Sequence, residues 1–123
     1  MTTGIKSTLI LGASDNPERY SYLALTRLRQ HRHPVTAIGR KASQVQDVEI
    51  ETVPHPIDKL DTVTLYLNPE HQRAYYDYIL SLKPRRVIFN PGAENPELET
   101  LVSEQGIEAM EACTLVLLST GQY

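Results

Sequence analysis

The stretch Gly12 to Ser21, GASDNPERYS, brings together the groups that hold an anion: a glycine, two serine hydroxyls and an arginine, just before an amphipathic run. Backbone N–H groups near Ala13 and Ser14, the hydroxyls of Ser14 and Ser21, a helix start with its partial positive charge and the bidentate fork of Arg19 could together cradle a phosphate. The glycines of a dinucleotide clamp are missing. Nothing after Gly12 fills the second and third glycine positions of G-x-G-x-x-G. The same residues would also make an ordinary connection, with Ser14 or Asp15 turning and capping the chain and Arg19 left as a solvated charge. The loop alone does not decide between the two.

A second group of residues narrows the chemistry. Gly39-Arg40-Lys41 follows a short apolar run, at a place where an NAD site carries an acid for the ribose 2′-hydroxyl. Two cations there suit an extra ribose phosphate, so CoA, with its 3′-phosphate, and NADP, with its 2′-phosphate, rank above NAD. An exposed basic turn is the plain alternative.

Bond-making chemistry finds little support. Cys113 is a lone thiol in an apolar run with no base beside it, which predicts a buried structural cysteine. His31 and His33 stand two apart at a helix end and should point in different directions, and His55 and His71 have no partner at metal-ligand spacing. Glu97, Glu99 and Glu104 fit a solvated helix face. Tyr75, Tyr76 and Tyr78 are core or interface candidates, with Tyr76 on the outward side. No catalytic residue and no metal site is expected, and enzymatic activity is left open.

The elements that must carry these loops follow from periodicity. Thr8–Leu11, Val35–Ile38, Thr62–Leu67, Arg86–Phe89 and Ile107–Met110 are short apolar runs that predict strands, and Val48–Val53 alternates like a strand at the sheet edge. Between them, Tyr20–Arg32 carries Ala24, Leu25 and Leu28 at helical spacing, with arginines in its second half. Asn68-Pro69-Glu70 and Asn95-Pro96-Glu97 are repeated helix starts: a capping side chain, a proline in the first turn and an early carboxylate. The first should open a helix burying Ala74, Tyr75, Tyr78, Ile79 and Leu82; the second, one burying Leu98, Leu101 and Val102 and ending at Gly106. Lys41–Asp47 has no clear period and reads as loop or a weak helical turn, while Cys113–Leu118 leans towards helix. Alternation of this kind predicts a single small doubly wound α/β domain over residues 1–123, with a mostly parallel sheet of five to six strands and helices on both faces. Ligands in such sheets sit at the carboxyl ends of the strands, where strand order reverses. Gly12, Ala13, Ser14, Arg19, Ser21, Gly39, Arg40, Lys41, Asn68, Pro69 and Gly92 are therefore the candidate binding residues.

Composition excludes several classes of function. A chain of 123 residues with 41% hydrophobic content can bury one modest core without metal or disulfide staples. The net charge of −3 speaks against a nucleic-acid binder. One cysteine rules out an internal disulfide and fits a reducing compartment. No run approaches the roughly 20 apolar residues of a membrane span, and MTTGIKSTLILG lacks the cleavage site of a secretory leader. A cytoplasmic protein with a small-molecule partner and no membrane association is expected.

With these residues in view, the chain resembles the small stand-alone CoA-binding domain proteins, Rossmann-like relatives of the nucleotide-binding domain in the α-subunit of succinyl-CoA synthetase. The run G-A-S-x-x-P-x-R-x-S (Gly12, Ala13, Ser14, Pro17, Arg19, Ser21) carries the resemblance, with VTLYLNPEH (63–71), NPGAENPELETLVSEQGI (90–107) and Cys113 in support. It departs from that family after the second strand, where Ala37-Ile38-Gly39-Arg40-Lys41 replaces a Pro-Val-Asn-Pro-like turn, and at Asn90-Pro91-Gly92, where only the glycine is kept. The resemblance implies non-catalytic binding of CoA or acyl-CoA, with Gly12, Ala13, Ser14, Arg19 and Ser21 around the phosphates. Two other readings stay open: an NADP-type oxidoreductase or redox-sensor subunit, and a regulatory interaction module with a degenerate pocket. A homodimer or a partner enzyme is compatible with each.

Overall fold

Thr8 to Ala13 is apolar enough to be covered on both faces, and in the computed structural model, which describes residues 4–123, it forms β1 in the interior of a sheet. The first residues of the N-terminal stretch weighed as a leader thus lie outside the described residues. The other strands are β2 (Val35–Gly39), β3 (Ser43–Val45), β4 (Val48–Glu51), β5 (Thr62–Leu65), β6 (Arg86–Phe89) and β7 (Glu108–Glu111). They run in the order β3-β4-β2-β1-β5-β6-β7, parallel throughout except for β3. The helices are α1 (Tyr20–Gln30), α2 (Pro69–Gln72), α3 (Tyr76–Leu82), α4 (Pro96–Glu104) and α5 (Thr114–Ser119).

Successive residues of a strand face opposite layers, and both layers are filled. Leu9, Leu11, Val63, Leu65, Val87 and Phe89 pack with Ile79 of α3 and with Leu98 and Val102 of α4. Ile10, Ile50 and Ile88 pack with Leu25 and Leu28 of α1 and Leu118 of α5. Each such side chain, fully withdrawn from water, contributes on the order of 2 kcal/mol before entropy is counted. The domain is a doubly wound α/β sandwich. Chain direction across the sheet reverses between β1 and β5, which places the switch point beside the loop after β1.

The sheet has seven strands rather than five to six. The addition is β3, in the stretch expected to be loop or helical turn, and it takes the edge position expected for β4. Val45 pairs directly with Val48 across a turn of Gln46-Asp47, with Gln46 at φ 54°. That is a tight hairpin built without the Asn-Gly or Asp-Gly pair that normally signals one. The helix expected from Pro69 to Leu82 is interrupted by a 3-10 turn over Arg73–Tyr75, which leaves Ala74 exposed and Gln72 buried. Gln72 faces inward because its side-chain N–H groups satisfy the carbonyls of Leu67, at 2.7 Å, and Ala93, at 2.8 Å. His31 and His33 also depart from expectation. Arg32, at φ 67°, turns the chain so that the two rings lie nearly parallel with centroids 6.5 Å apart.

Candidate functional site

Gly12 is where β1 stops being a regular strand. Its φ of +93° and a register shift against β2 mark a bulge, and a Cβ there would lie 2.8 Å from the Tyr66 carbonyl oxygen. Only glycine lets the loops after β1 and β5 approach this closely. Gly39 is constrained in a different way, since a Cβ on it would run into the Ala13 carbonyl. Both glycines shape the carboxyl edge of the sheet.

The loop from Ser14 to Arg19 is held by its own side chains. The Ser14 hydroxyl accepts the Asn16 N–H at 3.0 Å, and the Asn16 side-chain carbonyl accepts the Glu18 N–H at 3.0 Å. Ser14 keeps a proton to donate. Arg19 is the N-cap residue of α1 in an extended conformation, no side chain caps the helix, and no acidic residue stands in its first turn. The first N–H groups of α1, at Tyr20 and Ser21, therefore lack an intrahelical partner, as helix geometry requires. Buried Ser21 makes no hydrogen bond through its hydroxyl among the described residues.

These groups line one side of a cleft of about 630 Å³ at the switch point. Gly12, Ala13, Ser14, Arg19 and Ser21 form the β1–α1 wall, and Arg40 and Lys41 enter from the turn after β2. Across from them stand Tyr66, Leu67, Asn68 and His71, with Pro91, Gly92 and Ala93 from the loop after β6. Two of the candidate residues do not line it. Gly39 is buried beneath the turn, and Pro69 opens α2 and faces a neighbouring hollow of about 670 Å³. That hollow sets Glu70 and Glu97 against one cation, Arg73, a net negative balance that disfavours an anion.

Sequence reasoning missed Asp15, Tyr20, Tyr66, Leu67, His71, Pro91 and Ala93 as cleft residues. His71 was within reach, because the Asn68 side chain accepts its backbone N–H at 2.9 Å in the first turn of α2. Tyr66 and Leu67 were hidden by reading the strand two residues too far, for β5 ends at Leu65. Burial pushes the Tyr66 phenol well above its ordinary pKa, so it stays protonated, and its hydroxyl oxygen has no partner among the described residues.

The electrostatics are cationic with one exception. Arg19, Arg40 and Lys41 line the cleft, and neither arginine forms an ion pair among the described residues. Asp15 accepts a hydrogen bond from the Ser43 hydroxyl at 2.6 Å and stands 3.9 Å from the Lys41 ammonium. The Ser43 bond, and then the Lys41 charge, hold its carboxyl below the ordinary range. Half-buried Cys113 precedes α5. Among the described residues no group of three or more His, Cys, Asp or Glu side chains is placed to hold a metal, and no helix is long and apolar enough to cross a membrane.

An uncharacterized protein of known crystal structure is 52% identical, covering 98% of this chain and 100% of its own, with a TM-score of 0.96. A hypothetical protein from Pyrococcus horikoshii OT3 shares the fold at 22% identity and a TM-score of 0.85, over 94% of this chain and 83% of its own. Cell-free ID.343 from Thermus thermophilus does so at 21% identity and 0.80, over 97% and 91%. No curated protein matches the chain. Residues 6–119 match the CoA binding domain, and the chain belongs to that family.

Proposed function

We propose that the cleft binds CoA or an acyl-CoA by its phosphates, and that this recognition, rather than bond-making, is what the chain does. The carrying observation is the uncapped start of α1, which faces the same cleft as Ser14, Ser21, Arg19, Arg40 and Lys41. The α1 start, Arg19 and the two serine hydroxyls would take the pyrophosphate, where N–H donors and a cation converge on negative charge. Arg40 and Lys41 would take the ribose 3′-phosphate, with Gly39 holding their turn against β1. Asn68 and Gly92 form part of the opposite wall, along which the uncharged arm would lie. Family membership favours CoA and lends no support to NADP.

Calorimetric or thermal-shift titration with CoA, acetyl-CoA, NADP and NAD tests the reading on wild type and Arg19→Ala. CoA should stabilise the wild-type protein, because a ligand bound only to the folded state raises its stability, and Arg19→Ala should remove most of that effect. Absence of stabilisation by CoA or acetyl-CoA at millimolar concentration overturns the proposal and leaves the interaction-module reading.

A further inference from the structure

Asp15 is the one carboxylate among the residues lining the cleft, and its position runs against the site's positive charge. It is held there by an element foreign to the simple strand-helix alternation: Ser43, the first residue of β3, donates to it at 2.6 Å, and Lys41, at the base of the same hairpin, stands 3.9 Å away. Lys41 therefore already has a counter-charge, whereas Arg40 beside it has none among the described residues. We propose that Asp15 is a selectivity residue that sets how strongly the cleft rewards a ligand's terminal ribose phosphate, by competing with that phosphate for Lys41. The inference rests on the CoA reading of the cleft.

Two anions would compete for one ammonium. A phosphate reaching the β2–β3 turn meets Arg40 directly, but it can use Lys41 only by drawing the ammonium from Asp15 or by sharing it with a fixed negative charge. Both options lower the gain from the phosphate. A ligand without that phosphate leaves the Asp15–Lys41 pair intact and meets Asp15 only as a screened, solvent-exposed charge. Preference for CoA over dephospho-CoA is thereby held below what two free cations would provide. The Ser43 bond fixes the carboxylate in place, and an asparagine at position 15 could still accept it.

The test is a titration calorimetry series with CoA and dephospho-CoA on wild type, Asp15→Asn, Lys41→Ala and the double variant. Asp15→Asn should tighten CoA by roughly threefold, the scale of one exposed charge pair, and leave dephospho-CoA nearly unchanged. The gain should shrink as salt is raised, because these groups are solvent-exposed and screened. In the Lys41→Ala background the same substitution should give no gain. Equal tightening of both ligands, or a CoA gain that survives Lys41→Ala, overturns the inference, since Asp15 would then act on the whole ligand or directly on the phosphate. Binding of neither ligand to any of the four chains overturns the CoA reading itself, and this inference with it. Asp15 is exposed, and superimposable circular dichroism spectra establish that each variant compared is folded.

Discussion

Helices α1 and α4 both begin at the carboxyl edge of the sheet, yet one start is closed and the other open. At α4, the Asn95 side chain accepts the Leu98 N–H at 3.3 Å, Pro96 removes one donor, and Glu97 and Glu99 stand in the first turn. Glu99 also reaches back to accept the Asn95 N–H at 3.1 Å. At α1 there is no capping side chain and no acid, and Arg19 occupies the cap position. A missing cap costs about 1 kcal/mol of stability. The fold satisfies the α4 dipole with its own side chains and leaves the first donors of α1 open to an external group.

The largest effect should come from closing the open side sterically. Gly12→Ala would place a methyl against the Tyr66 carbonyl at a φ that alanine tolerates poorly, and should destabilise the fold by about 3 kcal/mol. Urea denaturation measures this, and a loss within error of zero would show that the two loops can separate. Next, Asn95→Ala opens the closed side. It removes the cap and also the Asn95 side-chain N–H bonds to Gln72, at 2.8 Å, and to Tyr76, at 2.9 Å. About 2 kcal/mol should be lost, while the folded fraction keeps its CoA affinity. If CoA binding collapses with Asn95→Ala, the two helix starts are not independent.

Arg19→Asp would convert the open start into the closed kind. Its backbone is already extended, at φ −86° and ψ 143°, as a capping residue requires. An aspartate there should raise stability in the absence of ligand by about 1 kcal/mol and abolish stabilisation by CoA. Opposite signs from one substitution would be hard to explain if α1 were merely an uncapped helix. A thermal melt with and without CoA reads both, and a variant that is stabilised and still binds CoA would show that the open start of α1 is not where the ligand's charge is held.

How much of this contrast was legible beforehand depends on the residue. Asn95-Pro96 and Asn68-Pro69 announced their helix starts because capping chemistry is local, written in consecutive residues. β1, β2, β5 and β6 were legible because buried parallel strands are continuous apolar runs. The β3–β4 hairpin was not, since Gln46 adopts a left-handed conformation with no glycine or asparagine to signal it, and only pairing with β4 makes Ser43–Val45 a strand. Asp15, read as a turn or cap residue, could not be placed in the cleft for the same reason, because its partners Ser43 and Lys41 arrive through that hairpin. Gln72 reads as a surface residue in any helical pattern, and the carbonyls of Leu67 and Ala93 that draw it inward become neighbours only in the folded chain.

The smallest predicted effect lies on the acidic side of the comparison. Glu111, at the end of β7, has its pKa raised above 4.5, first by a hydrogen bond with Glu99 and then by the charges of Glu99 and Glu94. An acid that binds its proton more tightly when folded contributes stability below its unfolded pKa, and that contribution is lost as pH rises through the folded value. Wild-type stability should therefore carry a small decline with rising pH that begins near 4.5. Glu111→Gln cannot titrate, so the wild-type-minus-variant difference in urea midpoint should fall across that window and be flat above it. A flat difference throughout would mean that Glu99 and Glu111 do not repel each other.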